Sequence, residues 1–547
     1  MAEFDVVVAG GTVVDGTGGA PRTADVAVKD GRIAAVGRLG DARAATIIDA
    51  TGHYVAPGFI DIHSHADDGS GPEDGLRDPN RARRAAPNLV SQGITTVVVN
   101  QDGRSPWPIT DQRALLEKQG IGVNAMLLVG HGTVRRLVMK DDVRRPSTVA
   151  EQARMRQLLR QGLQEGAVGL SAGLEYEPGR WSTTDEIVEL ARELPPVGGV
   201  YISHERSEGS DPLWYVPSQD GPGPPTLLDA VNETIAIGER TGARVVASHL
   251  KSKGEHYWGS SAAAVGLIQR ARDRGVDVWA DQYPYPTSGT DGSTVLIPAW
   301  ARRVPGSEGS RQTASAPSSA PSAAQVLTRV LGDPSTEKQV RADIAHEIRR
   351  RGGAHNIVVY DFTDQALYGK RLSEIARGWK LDPVDAAIRI QMEGLDRPGG
   401  ARMRGFSMAE WDMEHIAKQP WVATSTDGGI ALPEDGPTTH ARFYGSFTRK
   451  ISYYALDKGV ITVEHAIRAA TTLPARIMGL TDRGAIREGM AADLVVFDLQ
   501  AIRDRATFFE PHQHSAGIAH VFVNGVARVR DGVIVDALPG QVLRRAH

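Results

Sequence analysis

Short apolar runs alternate with amphipathic stretches through the middle of the chain. The runs are "GFIDIH" (58–63), "ITTVVVN" (94–100), "GVNAMLLVG" (122–130), "AVGLSAGL" (167–174), "GGVYISH" (198–204), "ARVVASH" (243–249), "VDVWADQ" (276–282) and "WVATSTD" (421–427). Intervening pieces such as "TTDEIVELARELP" and "TLLDAVNETIAIGERTG" carry apolar residues at helical spacing and polar residues elsewhere. Eight strands with helices between them predict an α/β fold, a parallel (β/α)8 TIM-like barrel rather than an open doubly wound sheet. The first 55 residues follow another pattern, short alternating strands with turn punctuation such as Asp30-Gly31. That pattern returns in "GAIREGMAADLVVFD" and "IAHVFVNGVARVRDGVIV". The expected organisation is one small β-sandwich domain built from both termini, 1–55 and 481–547, with the barrel over 56–480.

One interval is too long for a crossover of a dozen or more residues, that between Tyr283 and Trp421. An insertion at about 300–365 accounts for it. Within it "GSEGSRQTASAPSSAPSAA" (306–324) is of low complexity and expected to be mobile, "TEKQVRADIAHEIRRRGG" reads as a helix and "HNIVVYDF" as a strand. A place beside the barrel mouth, as a lid or a solvated decoration, fits this insertion.

Composition narrows the function. With 41% hydrophobic and 23% charged residues the chain is an ordinary globular one. A net charge of −4 gives no electrostatic case for nucleic acid or an anionic membrane. The longest apolar runs fall far short of the roughly 20 residues that span a bilayer. No signal-peptide pattern precedes Asp5, which suits a cytoplasmic protein, or a periplasmic or secreted one whose signal has been removed. Cysteine is absent, so disulfides, thiolate ligands and a cysteine nucleophile are excluded, and any metal must sit on His, Asp or Glu.

The strand ends carry the chemistry. In a barrel of this kind the site lies at the C-terminal ends of the strands. Strand one ends on His63 and His65, which as residues two apart share a face; strand five ends on His204, strand six on His249 and strand eight on Asp427. Imidazoles and a carboxylate at this density suit zinc or a similar divalent ion. Such a site activates water and polarises a carbonyl, and Asp427 would carry the proton from the attacking water to the leaving amine.

The same pattern, with the split β-sandwich, resembles the amidohydrolase superfamily. Within it the chain resembles the N-acyl-D-amino-acid deacylase (D-aminoacylase) group through "LVSQGITTVVVNQDG", "LLVGHGTVR", "GLSAGLEYEPGRWSTTDEIVELA", "SHERSEG", "ASHLKSKG", "DQYPYPTSGT" and "HARFYGSFTR". The resemblance implies a zinc enzyme, with one or two ions per chain, hydrolysing the amide of N-acyl amino acids, in particular of the D series. One departure stands out. The group places a metal-binding cysteine after strand two, where this chain reads Asn100-Gln101-Asp102-Gly103. Asp102 can ligate or bridge in its stead; Glu175, after strand four, competes for the bridging role, and either could instead orient a histidine. The resemblance also implies that Lys251, Tyr283 or Tyr285, and Arg442 grip the substrate carboxylate. His131, in "GHGTVR", either touches substrate or holds a loop. Arg206 reads as structural, His440 as a loop residue, and His512, His514 and His520 as non-catalytic.

"GLSAG" matches a nucleophile elbow, but the metal constellation leaves Ser171 no such role. Two neighbouring activities use similar chemistry: a dipeptidase or carboxypeptidase-like hydrolase, and a cyclic amide hydrolase of the dihydropyrimidinase or dihydroorotase type. Outside enzymes the alternative is a non-catalytic binding protein, which has no need of Asp427 as a base. The implied partner is a small molecule, and a homo-oligomer is compatible with the sequence.

Overall fold

A computed structural model describes residues 3–67, 75–289, 294–303, 321–395 and 401–545, apart from the side chain of Asp361. The eight apolar runs form the strands of a barrel: Phe59–Asp61, Ile94–Val99, Asn124–Leu127 continued by Val129–Gly130, Gly169–Gly173, Val200–His204, Arg244–Ala247, Val278–Gln282 and Val422–Thr424. Neighbours pair in parallel around the ring. The ring closes where Asp427 N donates to His63 O (3.0 Å) and His65 N to Gly428 O (2.8 Å). The strands are buried on both faces, which is why they read as continuous apolar runs rather than alternating ones. Helices cover the outside, and two begin on capping boxes, Thr148 with Glu151 and Thr226 with Asp229.

The terminal segments build one nine-stranded sheet. Its two halves join where Tyr54–Pro57 pairs antiparallel with Leu494–Phe497. The sheet wraps a core of its own that includes Val8, Val26, Ile33, Val55, Leu494 and Phe522. The fold class expected from the apolar pattern is thus the one observed: an α/β barrel with a β-domain drawn from both ends of the chain.

Between the seventh and eighth strands the chain builds a further small unit. Helices Ala323–Leu331, Pro334–Arg350, Leu372–Trp379 and Pro383–Gly394 pack with the antiparallel pair Ile357–Asp361 and Arg402–Gly405 around a core running from Leu296 to Met403. Most of the low-complexity stretch 306–324 lies outside the described residues. The unit touches the loop after the fifth strand, where Asp211 receives His346 (3.1 Å) and Arg350 (3.1 Å). No described helix is long and apolar enough to cross a membrane.

Candidate metal centre

The strand ends bring six side chains to one point. His63 Nε2 lies 3.4 Å from Asp102 Oδ1, and His65 Nε2 lies 3.5 Å from Asp102 Oδ2. His204 Nδ1 and His249 Nε2 lie 3.7 and 4.0 Å from the same Asp102 Oδ1 that faces His63. Asp427 Oδ1 faces His65 at 3.2 Å and His63 at 3.6 Å. Asp102, His249 and Asp427 all hold left-handed backbone angles (φ 56°, 37° and 47°). Non-glycine residues rarely adopt these angles, and they aim the side chains into the barrel mouth at a cost of about 1–3 kcal/mol each.

A layer beneath orients the ligands. His63 Nδ1 lies 2.5 Å from Ser248 Oγ, which itself donates to Asp281 Oδ2 at 2.6 Å. The hydroxyl hydrogen being committed to Asp281, the ring's hydrogen sits on Nδ1 and its lone pair on Nε2, facing Asp102. Asp281 also accepts from His249 N (3.0 Å) and Ser425 Oγ (2.6 Å). Asp61 accepts from Thr426 N (3.0 Å) and Oγ1 (2.5 Å), tying the last strand to the first.

These residues fit a divalent cation. His63 Nε2 and Asp102 Oδ1 are buried without a hydrogen-bond partner. In each of the triads His63–His65–Asp102, Asp102–His204–His249 and His63–His249–Asp427 the ligand atoms lie within 4.8 Å of one another. The donors are imidazole nitrogen and carboxylate oxygen, which suit zinc and its first-row neighbours. Burial opposes charge on Asp102 and Asp427, yet His204, foremost among the neighbouring histidines, holds Asp102 ionised, and Arg442 holds Asp427 well below the usual carboxylate range. Burial and the Lys251 ammonium keep His249 neutral, the form that ligates metal.

Comparison with known proteins follows the same lines. The amidohydrolase family pattern matches residues 46–188 and 383–529. The N-acyl-D-glutamate deacylase of Alcaligenes xylosoxydans xylosoxydans is 36% identical across 99% of this chain and 97% of its own length. The chain belongs to the amidohydrolase family. A D-aminoacylase with a binuclear metal centre is similar in structure, with TM-score 0.73 and 31% identity over 99% of this chain and 100% of that one. So is the N-acyl-D-glutamate deacylase of Bordetella bronchiseptica, complexed with zinc and a phosphonate inhibitor, with TM-score 0.72 and 33% identity over 99% of both chains.

In this amidohydrolase the competing carboxylates occupy different places. Asp102 reaches all four histidines, whereas Glu175 reaches His204 alone (3.2 Å), its second oxygen accepting from Leu213 N at 2.7 Å. The cavity above the cluster, of about 380 Å³, is lined by His65, Asp102, His204, His249, Lys251, Asp427 and Arg442 among others. Arg442 Nη1 donates to Asp427 Oδ2 at 2.6 Å. The Tyr283 ring lies between Lys251 (5.4 Å) and Arg442 (4.7 Å). His440 joins the cavity wall, its Nδ1 accepting from Arg442 N at 2.9 Å.

Two candidates are turned elsewhere. The Tyr285 hydroxyl donates to Asp504 (3.3 Å), away from the cavity. His131, first residue of the helix that follows the third strand, is fully buried against Glu186 (2.8 Å), beside Arg135 on the same carboxylate. Reading strand ends alone misses Glu208, which bonds Lys251 and lies 3.3 Å from His249. It also misses Tyr176, whose ring packs 4.2 Å from that of His204, and Asp281. Glu208 sits four residues beyond His204 in "SHERSEG", and a carboxylate so close to a strand-end histidine was the available signal. Asp281 is the penultimate residue of the seventh strand, in "WADQ".

Proposed function

We propose that this amidohydrolase removes the acyl group from N-acyl-D-amino acids by metal-assisted hydrolysis of the amide bond. The observation that carries the proposal is the convergence of four imidazoles on Asp102, with Asp427 facing the same point. His63, His65, His204, His249 and Asp102 would hold one or two divalent ions, zinc foremost, with Asp102 between the two histidine pairs and Glu175 orienting His204. When bound, the ion polarises the scissile carbonyl and brings the pKa of water down toward 7.

The chain's own residues do the rest. Asp427, kept ionised by Arg442, takes a proton from the attacking water and returns it to the departing nitrogen. Lys251 and Arg442, with Tyr283 between them, form the cationic wall against which the substrate carboxylate rests. Glu208 holds Lys251 in place. A carboxylate fixed on one side and an amide fixed on Asp427 leave one hand of the α-carbon free to place its side chain, which is how such a site reads chirality. Support for the D series comes from the relatives, named as deacylases of N-acyl-D-amino acids.

The test is amine release from paired N-acetyl-D- and N-acetyl-L-amino acids and matching dipeptides, with zinc added or chelated. Zinc-dependent turnover confined to the D-acyl series is the expected result. Cleavage of dipeptides alone would replace the substrate class, and no turnover of any linear amide by zinc-loaded protein would sink the deacylase reading.

A further inference from the structure

The cavity above the metal centre shares a wall, Asp102, Arg104 and Tyr176, with a second cavity of about 300 Å³. Segments that follow the second, third and fourth strands build this second cavity. In an eight-stranded ring they lie across the axis from strands six to eight, which present Lys251, Tyr283, Asp427 and Arg442. That opposition sorts the two arms of a substrate. The leaving nitrogen receives its proton from Asp427, so the amine arm lies on the strand-eight side. The acyl arm then points across Asp102 into the second cavity.

The chemistry of that cavity is unlike a pocket for a fatty chain. Its floor is backbone: a Cβ on Gly173 would stand 2.3 Å from Asp102 O, and one on Gly179 2.2 Å from Gly173 O. No long aliphatic side chain lines it. Two guanidinium groups do. Among the described residues neither Arg104 nor Arg136 pairs with a carboxylate; Arg136 donates only to the Glu177 carbonyl, at 3.2 Å. The carboxylate of Glu177 is engaged with Arg144 (3.2 Å). Lys251 and Arg442 across the axis, by contrast, are matched by Glu208 and Asp427.

We infer that the acyl arm is short and ends in a carboxylate, so that the substrate is the half-amide of a dicarboxylic acid, of the N-succinyl type, with Arg104 and Arg136 as acyl-specificity residues. This rests on the deacylase reading above. Water splits the amide C–N bond; its hydroxyl goes to the acyl carbon, giving a free dicarboxylate, and its proton to nitrogen, giving the amino acid.

The experiment compares kcat/KM of the zinc-loaded enzyme for three derivatives of one D-amino acid: N-succinyl, N-succinamoyl (the same shape without the charge) and N-acetyl. The expected preference of succinyl over succinamoyl is roughly 10- to 100-fold, the range of a hydrogen bond to a charged group. It shrinks at high salt, because both arginines are exposed. It collapses toward parity in R104Q and R136Q and is partly restored in R104K. Equal rates for succinyl and succinamoyl, in an enzyme that cleaves the acetyl compound, overturn the acyl assignment and leave the deacylase standing. If no N-acyl-D-amino acid is cleaved, both fall. The wild-type comparison decides the matter even if a variant fails to fold.

Discussion

Asp102 and Glu175 are both carboxylates beside His204, and the distinction between them is one of reach: four imidazoles against one. On the proposed reading Asp102→Asn lowers the metal content of the purified protein by half or more. Glu175→Gln instead keeps the metal and lowers kcat/KM by roughly 10- to 100-fold, the usual effect of removing a partner that orients a ligand. Elemental analysis of the two variants separates these roles, and the reverse pattern would exchange them. Asp427→Asn is expected to cut kcat of the zinc-loaded protein by about 10²- to 10⁴-fold, the scale of lost proton transfer; more than a tenth of wild-type activity would remove Asp427 from that role. His63, His65, His204 and His249 were legible as candidates because the strand pattern put each at a strand end. The turn of Tyr285 toward Asp504 was not, because two tyrosines two residues apart are equivalent until the loop between them is placed.

At the scale of elements, the helix Pro334–Arg350 docks on the loop that carries Glu208. Arg350 donates to Asp211 (3.1 Å) and to the Pro212 carbonyl (2.7 Å). Arg350→Met leaves Asp211 and Glu347 buried with a cation missing, so destabilisation by about 3–5 kcal/mol is expected. Faster amide hydrogen exchange over 205–220 would report it, and unchanged exchange there would refute the docking role. A second element, the π-helix Lys450–Asp457, carries a buried ammonium. Burial alone pushes the Lys450 pKa from 10.5 down to about 7. Between those values the unfolded chain binds the extra proton, so stability rises with pH across that window and the full penalty stands below pH 7. Lys450→Met is therefore expected to melt higher than wild type at pH 6, with the gap narrowing by pH 9.5. A gap independent of pH would mean that the amine is charged in the fold. Elements such as these are invisible to periodicity, since a lysine every few residues reads as a solvated helix face.

The whole molecule is held together by its ends. Beyond the β-domain the chain returns to the bottom of the barrel, where Gly540 N donates to Ile121 O (2.8 Å) and Leu543 N to Ala125 O (2.8 Å). Arg483 and Asp493 form a buried pair, and Asp493 also receives Asn124 (3.1 Å) from the third barrel strand. Removing residues 537–547 is thus expected to lower the melting temperature of barrel and β-domain together, in one calorimetric transition. Two separated transitions would show that the domains unfold independently.

By itself the sequence determined the kind of fold and the chemistry on offer. The spacing of apolar runs is local information, and buried parallel strands joined by amphipathic helices have few other ways to hide them. The spacing of His63 and His65 put both rings on one face for the same reason. The lack of cysteine restricted any metal to imidazole and carboxylate. Tertiary structure alone decided that Asp102 rather than Glu175 stands among the four histidines, that Glu208 takes up Lys251, and that Arg104 and Arg136 line one cavity without pairing with a carboxylate among the described residues. These are distances between loops that follow different strands. They depend on left-handed turns at Asp102, His249 and Asp427, which the periodicity of a strand cannot express.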